Sequence, residues 1–427
     1  MIETIRNAWK IPELRKRLIF LLLAVIVFRL GHAIYVPYVN TGLLADQFQV
    51  NSNNLLGYFN ILSGGGLATA SILALGVYPS INASIIMQLL QIAIPALERM
   101  AKDEGEAGRR KLSAITRYVT LALSFIMGYS YYIMLKSYDN VLIRTDWWSA
   151  IVIVMTFTAG SMFVMWLGER ITEKGVGNGI SIILFIGIVS RGPQAVMSIY
   201  NGLVSGTMKW WQALIIVVMA IGIIAFIIYI TNAERRIPVQ YAKRVVGRKQ
   251  YGGQSSNLPM KVNMSGVMPV IFASTIVSVP ATIAQFFTPR EGSFWAGFVN
   301  TFQQGRPVYI IVYVLLIFAF AYFYATIQFN PIEVANNLKK NGGFIPGFRP
   351  GKPTSDFIAK VLNKITLMGA IFLAIIAALP LIMSNVEGLS GLAIGGTSVL
   401  IMVGVALETV KAIEGQMLMR HYKGFLE

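Results

Sequence analysis

The sequence predicts an all-α membrane protein with ten transmembrane helices. Of its 427 residues, 55% are hydrophobic and 13% are charged, whereas soluble domains carry about 25% charged residues. The apolar runs are about 20 residues long, which is the length of a helix that crosses a bilayer. They do not alternate with the period of two that strands of a membrane barrel show. Since helices satisfy their own backbone hydrogen bonds in lipid, spanning helices explain these runs best.

The ten predicted spans follow one another along the whole chain. They are residues 18–36, 74–97, 117–135, 149–167, 177–197, 211–231, 267–287, 307–328, 365–384 and 392–413. An even number of spans places both termini on the same side of the membrane.

Lys and Arg are distributed unequally between the two sides of the predicted membrane. If the N-terminus is cytoplasmic, that side holds 29 of the 36 Lys and Arg, the other side holds 6, and Arg29 lies inside the first span. This is the positive-inside pattern, and it predicts that both termini are cytoplasmic. The net charge of +17 then follows from topology. Nucleic-acid binding would require aromatic residues among the basic ones, and these loops mostly lack them.

The segment between the first two spans, at about residues 57–73, is half apolar and too short and polar to span. It contains three successive glycines, Gly64, Gly65 and Gly66, each of which weakens a helix by roughly 1 kcal/mol relative to Ala. These features predict a re-entrant half-helix, which is tolerated at membrane depth only where protein or a cavity surrounds it. An ordinary interfacial loop is the alternative.

Two predicted cytoplasmic loops, residues 232–263 and 330–364, are too long to be simple connectors. Both are basic and contain Gly and Pro, and the first is expected to form a hairpin-like projection. Such loops suit docking to a large acidic partner. Contact with anionic lipids alone would also explain their charge.

No motif in the sequence supports catalysis, a metal site or a cofactor. There is no cysteine, only two histidines occur, and neither a phosphate-binding loop nor a zinc-protease motif is present. The glycines of residues 175–181 follow no strand, so we expect them to allow close helix packing. Span interiors contain few ionisable residues, which disfavours an ion-coupled carrier. A secondary transporter for a small solute remains the alternative to a passive pathway.

Several sequence blocks resemble the SecY family, the channel subunits of protein translocase. The blocks are residues 59–65, 85–90, 175–181, 234–240, 261–269, 342–353 and 395–398. They follow the family's order from the first span to the last, so the resemblance covers the whole chain, and none of them departs from the family pattern.

The resemblance implies a polypeptide channel of two pseudo-symmetric, inverted halves, here residues 1–200 and 201–427. Secretory and membrane polypeptides with signal sequences would enter from the cytoplasm, driven by SecA or the ribosome. Apolar segments would leave sideways into the bacterial plasma membrane, and SecE and SecG would be partner subunits. No enzymatic activity and no cofactor are implied.

The resemblance also implies four groups of functional residues. A predicted ring of aliphatic side chains closes the pathway: Val77, Ile81, Ile180, Leu184, Ile271 and Ile401. A plug half-helix lies against the ring: Phe59, Asn60, Ile61, Leu62, Ser63, Gly64, Gly65, Gly66, Leu67, Ala68, Thr69, Ala70, Ser71 and Ile72. Polar residues near a lateral gate are Asn82 and Gln88. Basic residues for SecA or ribosome docking are Arg235, Arg236, Lys243, Arg244, Arg248, Arg349 and Lys352.

The spacing of the ring residues agrees with this assignment without requiring it. Val77 and Ile81 are four residues apart, as are Ile180 and Leu184, so each pair lies on one helical face. Lipid-facing aliphatic residues would give the same spacing.

Overall fold

The computed structural model describes most of the chain. The described residues are 2–50, 60, 63–102, 105–138, 140–206, 208–241, 244–246, 249–251, 255–284, 297, 301–302, 306–383 and 396–421.

Helices dominate the first half of the chain. They are α1 (Ile2–Lys10), α2 (Pro12–His32), α3 (Thr41–Val50), α4 (Tyr78–Ala93), α5 (Pro95–Lys102), α6 (Gly105–Ser137), α7 (Trp147–Lys174), α8 (Gly179–Val189) and α9 (Gly192–Val204). α4 and α5 meet at an angle of 107°. Pro95 disfavours helical backbone at the residue before it, and Ile94 is accordingly extended, with φ −113° and ψ 109°.

The second half contains helices and a small sheet region. The helices are α10 (Trp210–Asn232), α11 (Met268–Ala284), α12 (Pro307–Gln328), α13 (Pro331–Lys340), α14 (Lys352–Met383) and α15 (Gly396–His421). The strands are β1 (Glu234–Tyr241), β2 (Arg244–Val246), β3 (Lys249–Tyr251), β4 (Ser255–Lys261) and β5 (Gly343–Phe344).

Six helices among the described residues are long and apolar enough to cross a membrane, and the bent pair α4–α5 raises the number to seven. The predicted first, seventh and tenth spans lie on α2, α11 and α15, outside this set. α2 carries Arg29 and begins with basic residues, and α11 is described for 17 residues. The all-α membrane class is therefore confirmed, whereas the number of ten spans remains a prediction.

The main hydrophobic cluster draws buried side chains from nine helices: α2, α4, α7, α8, α10, α11, α12, α14 and α15. A second cluster joins α3, α6 and α7 to residues 67–75. The long helices present exposed apolar residues on their outer faces, such as Ile221 and Leu315. An apolar exterior around a packed interior is the arrangement that a lipid environment requires.

The two long loops form one β-containing unit. β1 pairs antiparallel with β4, from Glu234 opposite Lys261 to Gln240 opposite Ser255, which confirms the expected hairpin. β5 of the second loop pairs with the other edge of β1, so the strand order is β4–β1–β5. Ile237 and Val239 alternate with exposed residues and pack against Ile358 of α14. The sequence did not indicate that the two loops pair with each other.

The predicted half-helix is wrong for the described residues after Asn60. Asn60 is helical, whereas residues 63–77 form consecutive turns, here called the turn segment. Gly64, Gly65 and Ala70 have φ angles of 71°, 93° and 44°, which a right-handed helix cannot contain. No residue of the turn segment is exposed, so the alternative of an ordinary interfacial loop is disfavoured. Phe59, Ile61 and Leu62 lie outside the described residues.

Candidate functional site

The residues of the predicted ring converge on the main cluster from different parts of the chain. Val77 caps α4, Ile81 lies one turn into that helix, and the others lie on α8, α11 and α15. The buried members, at 1–8% exposure, are Val77, Ile81, Leu184, Ile271 and Ile401. Ile180 is partly buried and packs against the same cluster. The cluster contains many other aliphatic residues, so the role of these six as a ring remains a prediction.

The residues directly before α11 pack closely against α15. A Cβ atom at Gly404 would lie 2.8 Å from Cγ1 of Val267, and one at Gly266 would lie 3.4 Å from Oε1 of Glu408. α11 therefore begins beside Gly404 and Glu408 of α15. Ile271 and Ile401, further along α11 and earlier on α15, belong to the same main cluster.

The glycine-rich residues before α8 allow that helix to start against α7. Asn178 is the N-cap, and its side chain accepts hydrogen bonds from the backbone N–H groups of Ile180 and Ser181, as preferred at helix N-termini. A Cβ atom at Gly179 would lie 1.9 Å from the carbonyl oxygen of Gly168. The expectation that these glycines serve close helix packing is therefore confirmed.

Side chains of three helices hold backbone carbonyls of the turn segment. His32 Nε2, at the end of α2, lies 2.6 Å from the carbonyl oxygen of Ser63. The hydroxyl of Tyr131 on α6 donates to the carbonyl of Leu67, and that of Ser161 on α7 donates to the carbonyl of Gly76. No sequence pattern indicated these partners, because their hydrogen bonds go to backbone atoms that every residue possesses.

Glycines also bring backbone of the turn segment unusually close to its neighbours. A Cβ atom at Gly160 of α7 would lie 1.8 Å from the carbonyl oxygen of Ile72, and one at Gly64 would lie 3.1 Å from Cα of Gly187. Atoms cannot approach so closely once a side chain is added. The turn segment thus fits a backbone-shaped recess in α7 and α8.

The predicted gate residues lie on α4, which contacts the second half of the chain through side chains. The Gln88 side-chain oxygen accepts a hydrogen bond from the Tyr324 hydroxyl of α12. One turn before Ile81, the Tyr78 hydroxyl lies 3.2 Å from the Ser278 hydroxyl of α11. Asn82 Oδ1 is buried without a partner among the described residues. Sequence reasoning missed Tyr324 and Ser278, although polar groups in an apolar stretch are a usable signal.

The predicted docking residues lie on the β-containing unit and the loop after β5. Arg235 and Arg236 are exposed on β1, and Arg236 Nε bonds Glu234 at 2.7 Å. Arg349 is exposed, while its carbonyl accepts a hydrogen bond from Thr354 at 2.8 Å. Exposed Lys352 begins α14, and Arg244 begins β2. Lys243 and Arg248 lie outside the described residues.

Comparisons with known proteins agree on one family. The family model described as SecY matches residues 71–410. A protein translocase subunit SecY of Bacillus licheniformis is 45% identical over 436 residues, which cover 100% of both chains. Because this relative is a translocase subunit, a secondary transporter for small solutes is not favoured.

Two solved structures show similarity in fold over nearly the whole chain. One concerns the plug domain of the SecY protein, which stabilises the closed state of the translocation channel and maintains a membrane seal. Its TM-score is 0.68 at 17% identity, with 97% of each chain covered. The other is the channel in a canine ribosome–channel complex from the endoplasmic reticulum, with a TM-score of 0.61, 16% identity and 97% coverage of each chain.

Proposed function

We propose that polypeptides cross the membrane through the predicted ring, because the chain belongs to the SecY family and is a subunit of a protein translocation channel. The observation that carries this proposal is the burial of Val77, Ile81, Leu184, Ile271 and Ile401 in one cluster from four helices. The turn segment ends at Val77, which is itself a member of this cluster. A pathway through the predicted ring would bring a polypeptide past the aliphatic side chains of its six residues.

The aliphatic character of the predicted ring suits a barrier to ions. An ion in a narrow apolar constriction loses its hydration without receiving other ligands, which is strongly unfavourable. An extended polypeptide can fill the same constriction, because the side chains of the ring adapt to it as a gasket. The ring would thus pass polypeptides while limiting ion leakage.

In this proposal residues 59–72, which include the turn segment as far as Ile72, are the plug of the closed channel. The similarity to the SecY structure whose plug domain maintains a membrane seal supports this role. So does the finding that no residue between Ser63 and Val77 is exposed. Displacement of the segment would open the pathway on one side of the ring.

Lateral release into lipid would occur where α4 meets α11 and α12. Gln88 and Asn82 would lie at this gate, with Tyr324 as the hydroxyl partner of Gln88. Such side-chain hydrogen bonds contribute only about 0.5–1.5 kcal/mol each, so an apolar segment could separate them. Burial of that segment in lipid would then compensate for their loss.

The basic residues of the β-containing unit would bind the components that drive transport. Arg235, Arg236 and Arg349 are exposed, and arginine suits contacts with carboxylates and phosphates. SecA would bind them during post-translational transport, the ribosome during synthesis, and anionic lipids nearby. The ribosome proposal is supported by the similarity to a channel from a ribosome–channel complex. SecE and SecG would join as further subunits.

The chain is a multi-pass membrane protein, and we expect it in the bacterial plasma membrane with cytoplasmic termini. Its relatives include the bacterial protein described above. The positive-inside distribution of Lys and Arg supports the orientation. This orientation places the β-containing unit in the cytoplasm, where SecA and ribosomes operate.

Crosslinking of a stalled polypeptide tests the pathway. The chain contains no cysteine, so Ile81→Cys or Ile271→Cys introduces a unique site within the predicted ring. A secretory chain that carries one cysteine, stalled with that cysteine at the ring, should form a disulfide with either site when an added oxidant accepts the two electrons of the thiol pair. Ile221→Cys, on the exposed face of α10 at 62% exposure, should remain unlinked. Equal crosslinking at Ile221 and Ile271, or none at the ring, would contradict the proposed pathway.

A further inference from the structure

Most buried hydroxyl groups in the long helices bond a carbonyl about one turn earlier in their own helix. Ser274 donates to Ile271 at 2.8 Å, Ser278 to Thr275 at 2.6 Å and Thr158 to Val154 at 2.8 Å. Thr275 Oγ1 and Ser398 Oγ depart from this rule. Neither has a hydrogen-bond partner among the described residues, although the residues are 7% and 0% exposed.

The local structure explains why each hydroxyl lacks a partner. The usual acceptor for Thr275 is the carbonyl of Ile271, which already accepts from Ser274 Oγ. Ser398 is the third residue of α15, so no carbonyl lies a full turn earlier within that helix. A buried hydroxyl without a partner keeps the cost of its desolvation without a compensating bond. Both groups are therefore ready to bond a ligand that reaches them.

Both hydroxyls lie beside the predicted ring and on the same side of it. Thr275 follows Ile271 by four residues and Ser398 precedes Ile401 by three, so each shares a helical face with its ring residue. α11 begins beside Gly404 and Glu408 of α15, and Ile271 of α11 shares the main cluster with Ile401, which lies earlier on α15; we infer from this that the two helices run antiparallel. Thr275, which follows its ring residue on α11, and Ser398, which precedes its ring residue on α15, therefore lie on the same side of the ring.

We propose that Thr275 and Ser398 form a binding site for the backbone of the polypeptide as it leaves the predicted ring. The site rests on the proposed pathway through the ring. At a rise of about 1.5 Å per residue, the two residues lie roughly 4.5–6 Å from the ring along the pathway. That distance corresponds to about two residues of an extended chain, so a peptide group that has just passed the ring is within reach.

Hydroxyl groups suit this role because a translocated chain can have any sequence. A hydroxyl donates to a peptide carbonyl and accepts from a peptide N–H, and both groups occur at every residue except proline. The aliphatic ring strips water from the peptide groups without replacing its hydrogen bonds. The hydroxyls of Thr275 and Ser398 restore bonds at the first opportunity, which stabilises the occupied channel and retards sliding back through the ring.

The test measures how fast a stalled polypeptide slides back out of the reconstituted translocase. Thr275→Val and Ser398→Ala remove the hydroxyls and should accelerate sliding about two- to tenfold each, the effect of one lost hydrogen bond. Thr275→Ser retains a hydroxyl, so the polypeptide should slide back through this variant at the same rate as through the unmodified protein. Thr158→Val, which removes a hydroxyl bonded within α7, should also have no effect.

A second polypeptide separates backbone binding from a general change in the channel. It carries esters in place of several amides, with unchanged side chains, and stalls with this stretch just past the ring. Esters lack the N–H group and are weak hydrogen-bond acceptors. With this polypeptide, the difference in sliding rate between Thr275→Val and the unmodified protein should therefore disappear. Equal acceleration for both polypeptides, or no acceleration for either, would overturn the proposal.

Crosslinking distinguishes failure of this site from failure of the pathway. With Ile271→Cys in the same preparation, a disulfide to the stalled chain shows that the chain occupies the ring. If the disulfide forms and the polypeptide slides back through the hydroxyl variants at the unmodified rate, the proposed backbone-binding site is wrong and the pathway through the ring is retained. If no disulfide forms, the pathway itself is wrong, and the site is wrong with it.

Discussion

The turn segment and the seam between α4 and helices α11–α12 are held by different kinds of contact. In the turn segment, side chains bond backbone carbonyls, and glycines such as Gly160 allow backbone to approach backbone. The hydrogen bonds and glycine contacts described above come from α2, α6, α7 and α8, all in the first half of the chain. At the seam, side chain meets side chain across the two halves, as in Tyr324 with Gln88.

This difference predicts different responses to disturbance. Substitution of a close-packed glycine has an abrupt effect, because a Cβ atom added at Gly160 would lie 1.8 Å from the carbonyl oxygen of Ile72 and would displace it. Side-chain hydrogen bonds at the seam each contribute about 0.5–1.5 kcal/mol and can be replaced one at a time by other polar groups. We therefore expect the turn segment to move as one body and the seam to open gradually.

Deletion of residues 60–73 should have the largest effect. It removes most of the turn segment and its contacts with α2, α6 and α7, while the ring remains. The resting ion conductance of planar bilayers that contain the protein should rise more than in any variant below. Bilayers as tight as those with the intact protein would show that the turn segment does not seal the pathway.

Gly160→Ala should have the next largest effect. Its Cβ atom would overlap the carbonyl oxygen of Ile72, and such overpacking typically costs about 1–3 kcal/mol. Resting conductance should rise and thermal unfolding should occur at a lower temperature. Gly222→Ala in α10 is the matched control, since no atom lies within 4 Å of its Cβ position. Identical conductance in both variants would argue against steric retention of the turn segment.

His32→Leu should raise conductance less than Gly160→Ala. It removes one partner of the Ser63 carbonyl, and a buried group left unpaired costs about 1–3 kcal/mol, which neighbouring groups can partly relieve. Release of apolar segments into lipid should be unchanged, because His32 does not contact the seam. A change in that release, measured with segments of graded hydrophobicity, would show that the two regions are coupled.

Tyr324→Phe should have the smallest effect, and it should affect the seam alone. It removes the donor to Gln88 at a cost of about 0.5–1.5 kcal/mol, so segments of marginal hydrophobicity should enter lipid more often. Resting conductance should not change. Tyr322→Phe is the control, because that hydroxyl donates to Asn363 within the second half of the chain. Equal ion conductance in Tyr324→Phe and His32→Leu would contradict the prediction that the turn segment, and not the seam, seals the resting channel.

Most of the spans and the hairpin depend on local sequence patterns, so the sequence predicted them well. The apolar stretches of residues 117–135 and 149–167 lie on α6 and α7, and the basic loop after α10 forms the β1–β4 pair. The half-helix of the turn segment was wrong beyond Asn60, because the glycine-rich stretch adopts left-handed backbone conformations. Composition shows that glycines permit such angles but not which residues adopt them.

The sequence by itself determined that the chain is an all-α membrane protein, because lipid acts on each stretch of about 20 residues through its own hydrophobicity. The choice of aliphatic residues for a ring came from the resemblance to the SecY family, because spacing alone does not separate them from lipid-facing residues. Only the tertiary structure decided the partners: Tyr324 and Gln88 are 236 residues apart, and β5 joins β1 from another loop. Such contacts depend on how whole helices pack, and close packing fixes partners that no local pattern encodes.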